Sequence, residues 1–403
     1  MLVMFKFKNY GPFKEETTFD MRAIKSYKEH PYNLITECDD CNLLKVVAIY
    51  GANASGKSKF VSAYDAFLSM VRNSFQMSDK EDLQSVLEKN YFPFFFDDHS
   101  FEDDTEFEAV FHYNGFEYKY GFIYNRKRIS YEWLYKKSLI TNRMSKIFER
   151  SPDKIELGSS VVRICEKYIQ DIGSNVLALS FFSSLSLRTR VFKETLVCVF
   201  NILPLSLSSD SHAEFMLTRY FERDFDEDEK PRLLKFLNAI DVGIKDIEVD
   251  KNKNNIQVYT FHTNDKGDLY AIPIELESDG TRRAIAIYSY IRVAVLRGKG
   301  IIIDEFNNQL HPLLQKYLID LFYENSSVGQ LIYTTHDTSL MDKQFMRRDQ
   351  IWFVSKNENG ESSLYSLAEF KVRNDKSSFK KDYLSGVYGG IPILKDFSFK
   401  ENE

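Results

Sequence analysis

Eight consecutive residues have the types and spacing that bind the phosphate groups of a nucleotide. They read Gly51-Ala52-Asn53-Ala54-Ser55-Gly56-Lys57-Ser58, follow an apolar run and precede a helical pattern, as a P-loop does. The glycines let the backbone curl until successive N–H groups point at phosphate oxygens, and the helix adds its positive N-terminal end. Lys57 is predicted to reach the β- and γ-phosphates and Ser58 to ligate Mg²⁺. The alternative is a Gly-rich turn without a ligand.

Two acidic residues and a histidine follow apolar runs far downstream. Residues 300–306 read Gly-Ile-Ile-Ile-Asp-Glu-Phe, which is typical of a buried strand ending in two carboxylates. Asp304 is predicted to hold Mg²⁺ through water, and Glu305 to polarise the water that attacks the γ-phosphate. A second such strand, 330–335, ends at His336, which we expect beside the γ-phosphate. Each of these could be a solvated strand end; together with the P-loop they indicate a nucleoside triphosphatase.

A third group of polar residues opens a long apolar helix. The pattern of this helix begins near residue 278 and runs to about residue 296, just upstream of the Asp304 strand. Ser278 and Gly280 lie at its N-terminus, where a hydroxyl and free N–H groups are available to an anion. A serine at such a position is otherwise a simple helix cap.

The order of these motifs resembles that of the ABC-type ATPase heads of the RecF, SMC and DNA-repair families. The signature of those heads is Leu-Ser-Gly-Gly-Gln; Ser278-Asp279-Gly280-Thr281 fits it with Asp for the first Gly and Thr for the Gln. The match is tighter to the AAA-family ATP-binding proteins related to RloA and AbiLi of bacterial abortive-infection loci. It extends from residue 5 to residue 392, and the segments that carry it are 49–58, 277–282, 303–306, 348–353 and 386–392.

This resemblance implies a mechanism and a set of partners. ATP is sandwiched head to tail in a homodimer, in which Ser278 and Gly280 complete the γ-phosphate site of the neighbouring subunit, and hydrolysis loosens the pair. The dimer, or a higher oligomer built from it, regulates a separately encoded effector, a nuclease or toxin, in anti-phage defence. The alternatives are a RecF-type repair or recombination ATPase that binds DNA, and a non-hydrolysing ATP-dependent scaffold. The presence of Glu305 and His336 argues against the scaffold. A nuclease in the same chain is not favoured, because no Asp-x-Asp follows His336.

The elements that must position these residues indicate an α/β fold. We predict an ABC-type P-loop NTPase whose mixed sheet is flanked by helices, with alternating strands in 1–20 and 105–137 completing that sheet. The ATPase core is assigned to 1–140 and 276–403. Residues 141–275 are assigned to an inserted, mainly helical regulatory lobe. No segment of this insertion sustains three heptads, so a long coiled coil is not expected.

Composition limits the compartment and the partners. The chain has 403 residues, a net charge of −6, four cysteines and no apolar stretch of 18 residues, so we expect a cytoplasmic protein without a membrane segment. The net charge argues against a general DNA-coating protein. Two basic segments, 126–154 and 371–381, are candidates for a nucleic-acid or partner-protein groove, or for solvated surface. Cys38 and Cys41 have zinc-like spacing, and a surface loop is the alternative.

Overall fold

The computed structural model describes residues 1–36, 42–74, 86–206, 210–240, 243–252, 255–371 and 378–392. Cys38, Cys41 and most of the basic segment 371–381 therefore lie outside the described residues. The strands are β1 (Leu2–Lys8), β2 (Thr17–Asp20), β3 (Leu34–Ile35), β4 (Leu43–Leu44), β5 (Val46–Gly51), β6 (Thr105–Tyr113), β7 (Phe116–Tyr124), β8 (Ile129–Ser138), β9 (Met144–Ser151), β10 (Lys154–Leu157), β11 (Ile202–Ser206), β12 (Asp246–Asn252), β13 (Asn255–Thr263), β14 (Leu269–Pro273), β15 (Gly300–Asp304), β16 (Gln330–Thr335), β17 (Ile351–Lys356) and β18 (Ser362–Ser366).

The helices with defined bounds are α1 (Lys57–Asn73), α2 (Val162–Cys165), α3 (Ala178–Ser184), α4 (Val191–Val199), α5 (Asp210–Arg223), α6 (Lys230–Ala239), α7 (Asp279–Arg297), α8 (Pro312–Asn325) and α9 (Phe379–Leu384). The longest of them is α7, with 19 residues. Within the described ranges, none of the helices combines the length and apolar character that crossing a bilayer requires.

Six strands form the sheet that carries the P-loop, in the order β11-β15-β16-β5-β17-β18. The first five are parallel and β18 is antiparallel to β17, so the sheet is mixed. Every residue of β5, β15 and β16 is buried, as expected for central strands covered on both faces. Because these strands are parallel, their carboxyl ends bring the P-loop, Asp304 and His336 to one edge. The predicted α/β fold with a mixed, helix-flanked sheet is confirmed.

The N-terminal strands do not complete this sheet, and that part of the prediction is wrong. Strands β1, β2 and β6–β10 form a separate antiparallel sheet in the order β10-β9-β8-β7-β6-β1-β2. The reason is the aromatic face of these strands, which packs on α1: Phe5 contacts Tyr64, and Phe107 and Phe122 contact Phe67. Helix α1 thus lies between two sheets, and each sheet satisfies its own hydrogen-bond ladder.

Residues 141–275, assigned from the sequence to an inserted lobe, belong to three different parts of the structure. Strands β9 and β10 extend the antiparallel sheet, so a boundary at residue 141 separates the paired strands β8 and β9. Strand β11 pairs in parallel with β15 and belongs to the nucleotide-binding sheet. The rest contains helices α2–α6 and a small antiparallel sheet, β12-β13-β14. A domain boundary drawn from the sequence takes no account of pairing between strands that are far apart in the chain.

Arg347, just before the family-like segment 348–353, holds the N-terminal region against the sheet together with residues of that segment. Arg347, almost wholly buried, donates to both carboxylate oxygens of Asp349 at 2.9 and 2.7 Å. Its guanidinium also donates to the backbone carbonyls of Tyr27 and Glu29. Gln350 donates to the carbonyl of Val46, at the amino end of β5. These contacts are structural and lie at the opposite end of β5 from the P-loop.

Candidate nucleotide-binding site

The P-loop connects β5 to α1 through a backbone that needs its glycines. Ala54 and Gly56 both have positive φ, +61° and +118°, which turns neighbouring N–H groups toward the inside of the loop. A Cβ on Gly51 would lie 2.5 Å from the carbonyl oxygen of Val354, and one on Gly56 would lie 2.9 Å from Ser362 Oγ. Close packing therefore requires both glycines, and the positive φ of Gly56 favours glycine at that position by conformation as well.

Lys57 is held against the loop that it follows. Its Nζ donates to the carbonyl oxygens of Gly51 at 2.7 Å and Ala52 at 3.0 Å. Burial lowers the pKa of Lys57, and the carboxylates of Asp304 and Glu305 partly oppose this by raising it. A dianionic phosphate would favour the charged ammonium more strongly than these carbonyl groups do.

The two carboxylates after β15 are positioned by Thr334 on the neighbouring strand. Thr334 Oγ1 donates to Asp304 Oδ1 at 2.5 Å and accepts from the backbone N–H of Glu305 at 2.8 Å. Glu305 has a φ of +53°, a conformation that costs a non-glycine residue about 1–3 kcal/mol. Arg283 on α7 donates to the Glu305 carbonyl at 3.0 Å, so the surrounding contacts maintain this strained backbone.

His336 follows β16 directly and is linked to the turn after Glu305 by Asn307. Asn307 Oδ1 accepts from Thr335 Oγ1 at 2.8 Å, which leaves its Nδ2 as the donor to His336 Nε2 at 3.2 Å. This contact leaves Nδ1 as the ring nitrogen that can face a ligand as a donor. The imidazole is exposed at the carboxyl edge of the sheet. Sequence reasoning gave no role to Thr334, Asn307 or Arg283, because each acts on a residue distant in the chain.

A single cavity of about 660 Å³ brings most of the predicted residues together. Its walls include residues 53–58 of the P-loop together with Glu305 and His336. The buried Ser55 Oγ has no hydrogen-bond partner among the described residues, so a polar group at this point would meet an available hydroxyl. The volume is within the usual range for a small-molecule site. A triphosphate therefore fits the loop, the lysine and the cavity.

Ser58 and Asp304 are the residues that would hold Mg²⁺. Hydroxyl and carboxylate oxygens are the hard ligands that this ion prefers. In the described part of the chain, no three His, Cys, Asp or Glu side chains form a metal-binding group. A site with few protein ligands suits Mg²⁺, which keeps water and phosphate oxygens in its coordination sphere.

Ser278 and Gly280 are not in the walls of this cavity. Ser278 caps α7: its Oγ accepts from the backbone N–H of Thr281 at 3.1 Å and lies 2.8 Å from Thr281 Oγ1. The side chain is exposed. A Cβ on Gly280 would lie 2.9 Å from the carbonyl oxygen of Gln309, so this glycine permits close packing of α7 on the loop after Glu305.

Several residues that sequence reasoning missed also contact the loop or line the cavity. The segment 386–392, part of the family resemblance, reaches the P-loop, where the Gly390 carbonyl accepts from the Ala52 N–H at 2.8 Å. An unusual run of aromatic residues near 91–96 was the available signal for the cavity wall. The additional lining residues are Gly11, Pro12, Lys59, Phe92, Phe95, Phe96 and Lys356.

The basic segment 126–154 is partly neutralised within the structure. Four of its nine cations contact carboxylates: Lys136 contacts Glu194, Lys146 contacts Glu149 and Glu156, Arg150 contacts Glu132, and Lys154 contacts Glu156. These cations belong to β8, β9 and β10 at the edge of the antiparallel sheet. The paired charges favour a structural role for much of this segment.

A second cavity, of about 370 Å³, lies near the amino end of β5 and contains none of the predicted site residues. His30, Tyr32 and Tyr323 are among the residues that line it. Because the P-loop follows the carboxyl end of β5, this cavity is separate from the nucleotide site.

Among the solved structures similar to this chain are two SMC heads. The SMC head bound to the C-winged helix domain of ScpA is 14% identical, with a TM-score of 0.46, and the alignment covers 91% of this chain and 97% of that chain. The SMC head domain from Thermotoga maritima is 13% identical, with a TM-score of 0.43, and covers 92% and 99%. No curated protein matches the sequence.

A family model matches residues 46–342, well over half of the chain. The matched range begins with β5 and includes the P-loop, the α7 N-terminus, Asp304, Glu305 and His336. The match confirms the resemblance to AAA-family proteins of abortive-infection systems. The chain belongs to the family described as "AAA domain, putative AbiEii toxin, Type IV TA system".

Proposed function

We propose that this protein binds and hydrolyses ATP with Mg²⁺ and acts as a dimeric switch for a separate effector in anti-phage defence. The observation that carries the ATPase proposal is the backbone of Glu305, held in a left-handed conformation on the wall that also contains Lys57 and His336. Strain maintained by specific contacts is concentrated at functional sites. A carboxylate on the wall of the phosphate cavity supports a role for Glu305 as the general base for the attacking water.

The predicted site residues have distinct roles in this reaction. The P-loop N–H groups and Lys57 bind the β- and γ-phosphates, and Ser58 and Asp304 are the residues that would hold Mg²⁺, Asp304 through water. When bound, the ion would neutralise the charge that develops on the phosphate oxygens. Glu305 accepts the proton of the attacking water, and His336 donates a hydrogen bond to the γ-phosphate.

The dimer proposal rests on Ser278 and Gly280. Ser278 is exposed at the N-terminus of a 19-residue helix and outside its own subunit's cavity, so it is available to a phosphate in a neighbouring subunit. Contacts of this type form only while the γ-phosphate is present. Hydrolysis would therefore remove interface binding energy and bias the equilibrium toward separated subunits.

The defence role is supported by the family description, which names the AbiEii toxin and a type IV toxin–antitoxin system. We assign the output to a separately encoded nuclease or toxin whose activity follows the nucleotide state. We do not extend the proposal to nucleic-acid binding, because four of the nine cations of the main basic segment already contact carboxylates.

The substitution Lys57→Ala tests the nucleotide site. It removes a charge-assisted contact worth about 1.5–3 kcal/mol, so we expect ATP affinity to fall tenfold or more in titration calorimetry. Lys235→Ala is the matched control, since it removes the same charge from an exposed position on α6, outside the cavity. Equal losses in the two variants, or an unchanged affinity for Lys57→Ala, would contradict the P-loop assignment.

The same pair of variants tests the defence role in cells. Bacteria carrying the gene with its genomic neighbours should survive phage challenge better than those with Lys57→Ala, and Lys235→Ala should behave like the wild type. Protection that does not depend on Lys57 would contradict a nucleotide-controlled switch.

Thr334→Val tests the positioning of the two carboxylates. Valine keeps the shape of threonine but removes both the donor to Asp304 and the acceptor of the Glu305 N–H. We expect turnover of ATP to fall about tenfold with little change in ATP affinity, because the P-loop is untouched. Thr334→Ser retains the hydroxyl and should keep most of the activity. Wild-type turnover by Thr334→Val would show that these hydrogen bonds do not position Glu305.

A further inference from the structure

Three large aromatic side chains line the nucleotide cavity although they are exposed. The exposed fractions are 42% for Phe92, 56% for Phe95 and 67% for Phe96. All three are in the same cavity wall as Lys356 and face the space that contains the P-loop. Clustered apolar side chains left open to a cavity are typical of a ligand-binding surface.

The segment that carries these rings is fixed to the N-terminal turn. Asn9 Oδ1 accepts from the Phe94 N–H at 2.8 Å, and the Gly11 N–H donates to the Phe92 carbonyl at 2.5 Å. Lys14 contacts the carboxylate of Asp97 at 2.8 Å, on the other side of the aromatic run. The backbone is therefore anchored at both ends, and the exposure of the rings does not reflect a loose loop.

Phe96 is also fixed as a ring. Its edge meets Phe94 in a T-shaped contact, with centroids 5.5 Å apart and planes at 77°. A Cβ on Gly360, which has a φ of +82°, would lie only 2.8 Å from Phe96 Cδ2. The ring thus packs closely on the Gly360 backbone, yet two thirds of the side chain is exposed. Phe95 is held in a similar way by Phe101, at 5.6 Å between centroids.

We propose that Phe95 and Phe96 form a stacking platform for the adenine base of the ATP that the P-loop binds, an inference that rests on the proposed function. The phosphate chain occupies the polar part of the cavity, at residues 53–58, and the base occupies the aromatic part. Planar bases stack on aromatic side chains, and rings already held by their neighbours lose little conformational freedom on binding.

Two features of the wall favour a nucleotide over an apolar protein segment. Lys59 and Lys356 flank the rings, with their Nζ atoms 5.9 Å from the Phe92 centroid and 5.6 Å from the Phe96 centroid. Cations beside an aromatic surface complement a molecule that is both planar and anionic. The platform is also continuous with the P-loop in one cavity, so a single ligand reaches both.

The experiment compares a ligand that has a base with one that lacks it. Titration calorimetry with Mg²⁺ measures the affinity for ATP and for inorganic tripolyphosphate in the wild type, Phe95→Ala, Phe96→Ala and Phe96→Trp. We expect each alanine variant to bind ATP about tenfold more weakly and tripolyphosphate unchanged, because only the base loses its stacking partner. Phe96→Trp should bind ATP more tightly than Phe96→Ala, with an affinity near that of the wild type. Phe215→Ala, at a side chain that is 60% exposed and outside the cavity, is the matched control.

Each other outcome overturns the inference. Unchanged ATP affinity in both alanine variants would show that the base does not stack on these rings, while the ATP site itself would stand. Equal losses for ATP and tripolyphosphate would show that the rings support the loop rather than contact the base. Binding of neither ligand by the wild type would remove the proposed function together with the platform.

Discussion

Glu305→Gln is expected to bind ATP with near wild-type affinity, to remain as a stable dimer in its presence and to hydrolyse it at least a hundredfold more slowly. The structure explains why this substitution should slow hydrolysis without weakening ATP binding. The contacts that hold residue 305 use its backbone: its N–H donates to Thr334, and its carbonyl accepts from Arg283. Glutamine keeps both contacts and the shape of the side chain. Only the carboxylate that accepts a proton from water is lost.

Two measurements on this variant are needed together. Phosphate release gives the turnover number, and light scattering with and without Mg²⁺ATP gives the mass of the assembly. Glu324→Gln is a suitable control, because it makes the same change at an exposed position on α8, outside the nucleotide cavity. Wild-type turnover by Glu305→Gln would contradict Glu305 as the general base. A dimer that persists without bound ATP would contradict pairing of the subunits through the nucleotide.

The parts of the site that could be predicted from the sequence are those carried by short contiguous patterns. The P-loop depends on eight adjacent residues, and Asp304 and His336 each end an apolar run. The carboxyl ends of parallel strands share an edge of the sheet, and this rule explains why motifs so far apart in the chain lie together. In the structure, β15 and β5 both pair in parallel with β16, which precedes His336.

The parts that could not be predicted depend on contacts between distant residues. Thr334 is 29 positions from Glu305, and Asn307 is as far from His336. The N-terminal strands have the alternation of a half-buried sheet, but alternation does not say which partner covers the buried face. The aromatic face of the N-terminal strands packs against helix α1, and these strands belong to a second sheet. Long-range pairing, not local propensity, decided these features.

Ser278→Arg is expected to abolish ATP hydrolysis while leaving the P-loop of each subunit able to bind ATP. Ser278 is exposed, so a monomer can accommodate arginine, but the larger side chain would block a neighbouring γ-phosphate from the N-terminus of α7. The change also removes the cap on the Thr281 N–H, a loss of about 0.5–2 kcal/mol.

Ser278→Ala removes the cap without adding bulk, and Ser278→Asp keeps a good cap but places a negative charge toward the phosphate. Activity lost with Arg and Asp, and largely kept with Ala, would show that access of the phosphate to the N-terminus of α7, and not the cap, decides the activity.

Mixing two inactive variants decides whether Ser278 acts across the dimer. In a mixed pair of Ser278→Arg and Lys57→Ala subunits, one composite site carries both defects and the other carries neither. Random pairing of equal amounts makes half of the dimers mixed, each with one intact site, so about a quarter of the wild-type turnover should return. If Ser278 acted only within its own chain, every subunit would carry a defect and mixing would restore nothing. Mass measurements must show that mixed dimers form; no recovery in their presence would reduce Ser278 to the helix cap that its contact with Thr281 already describes.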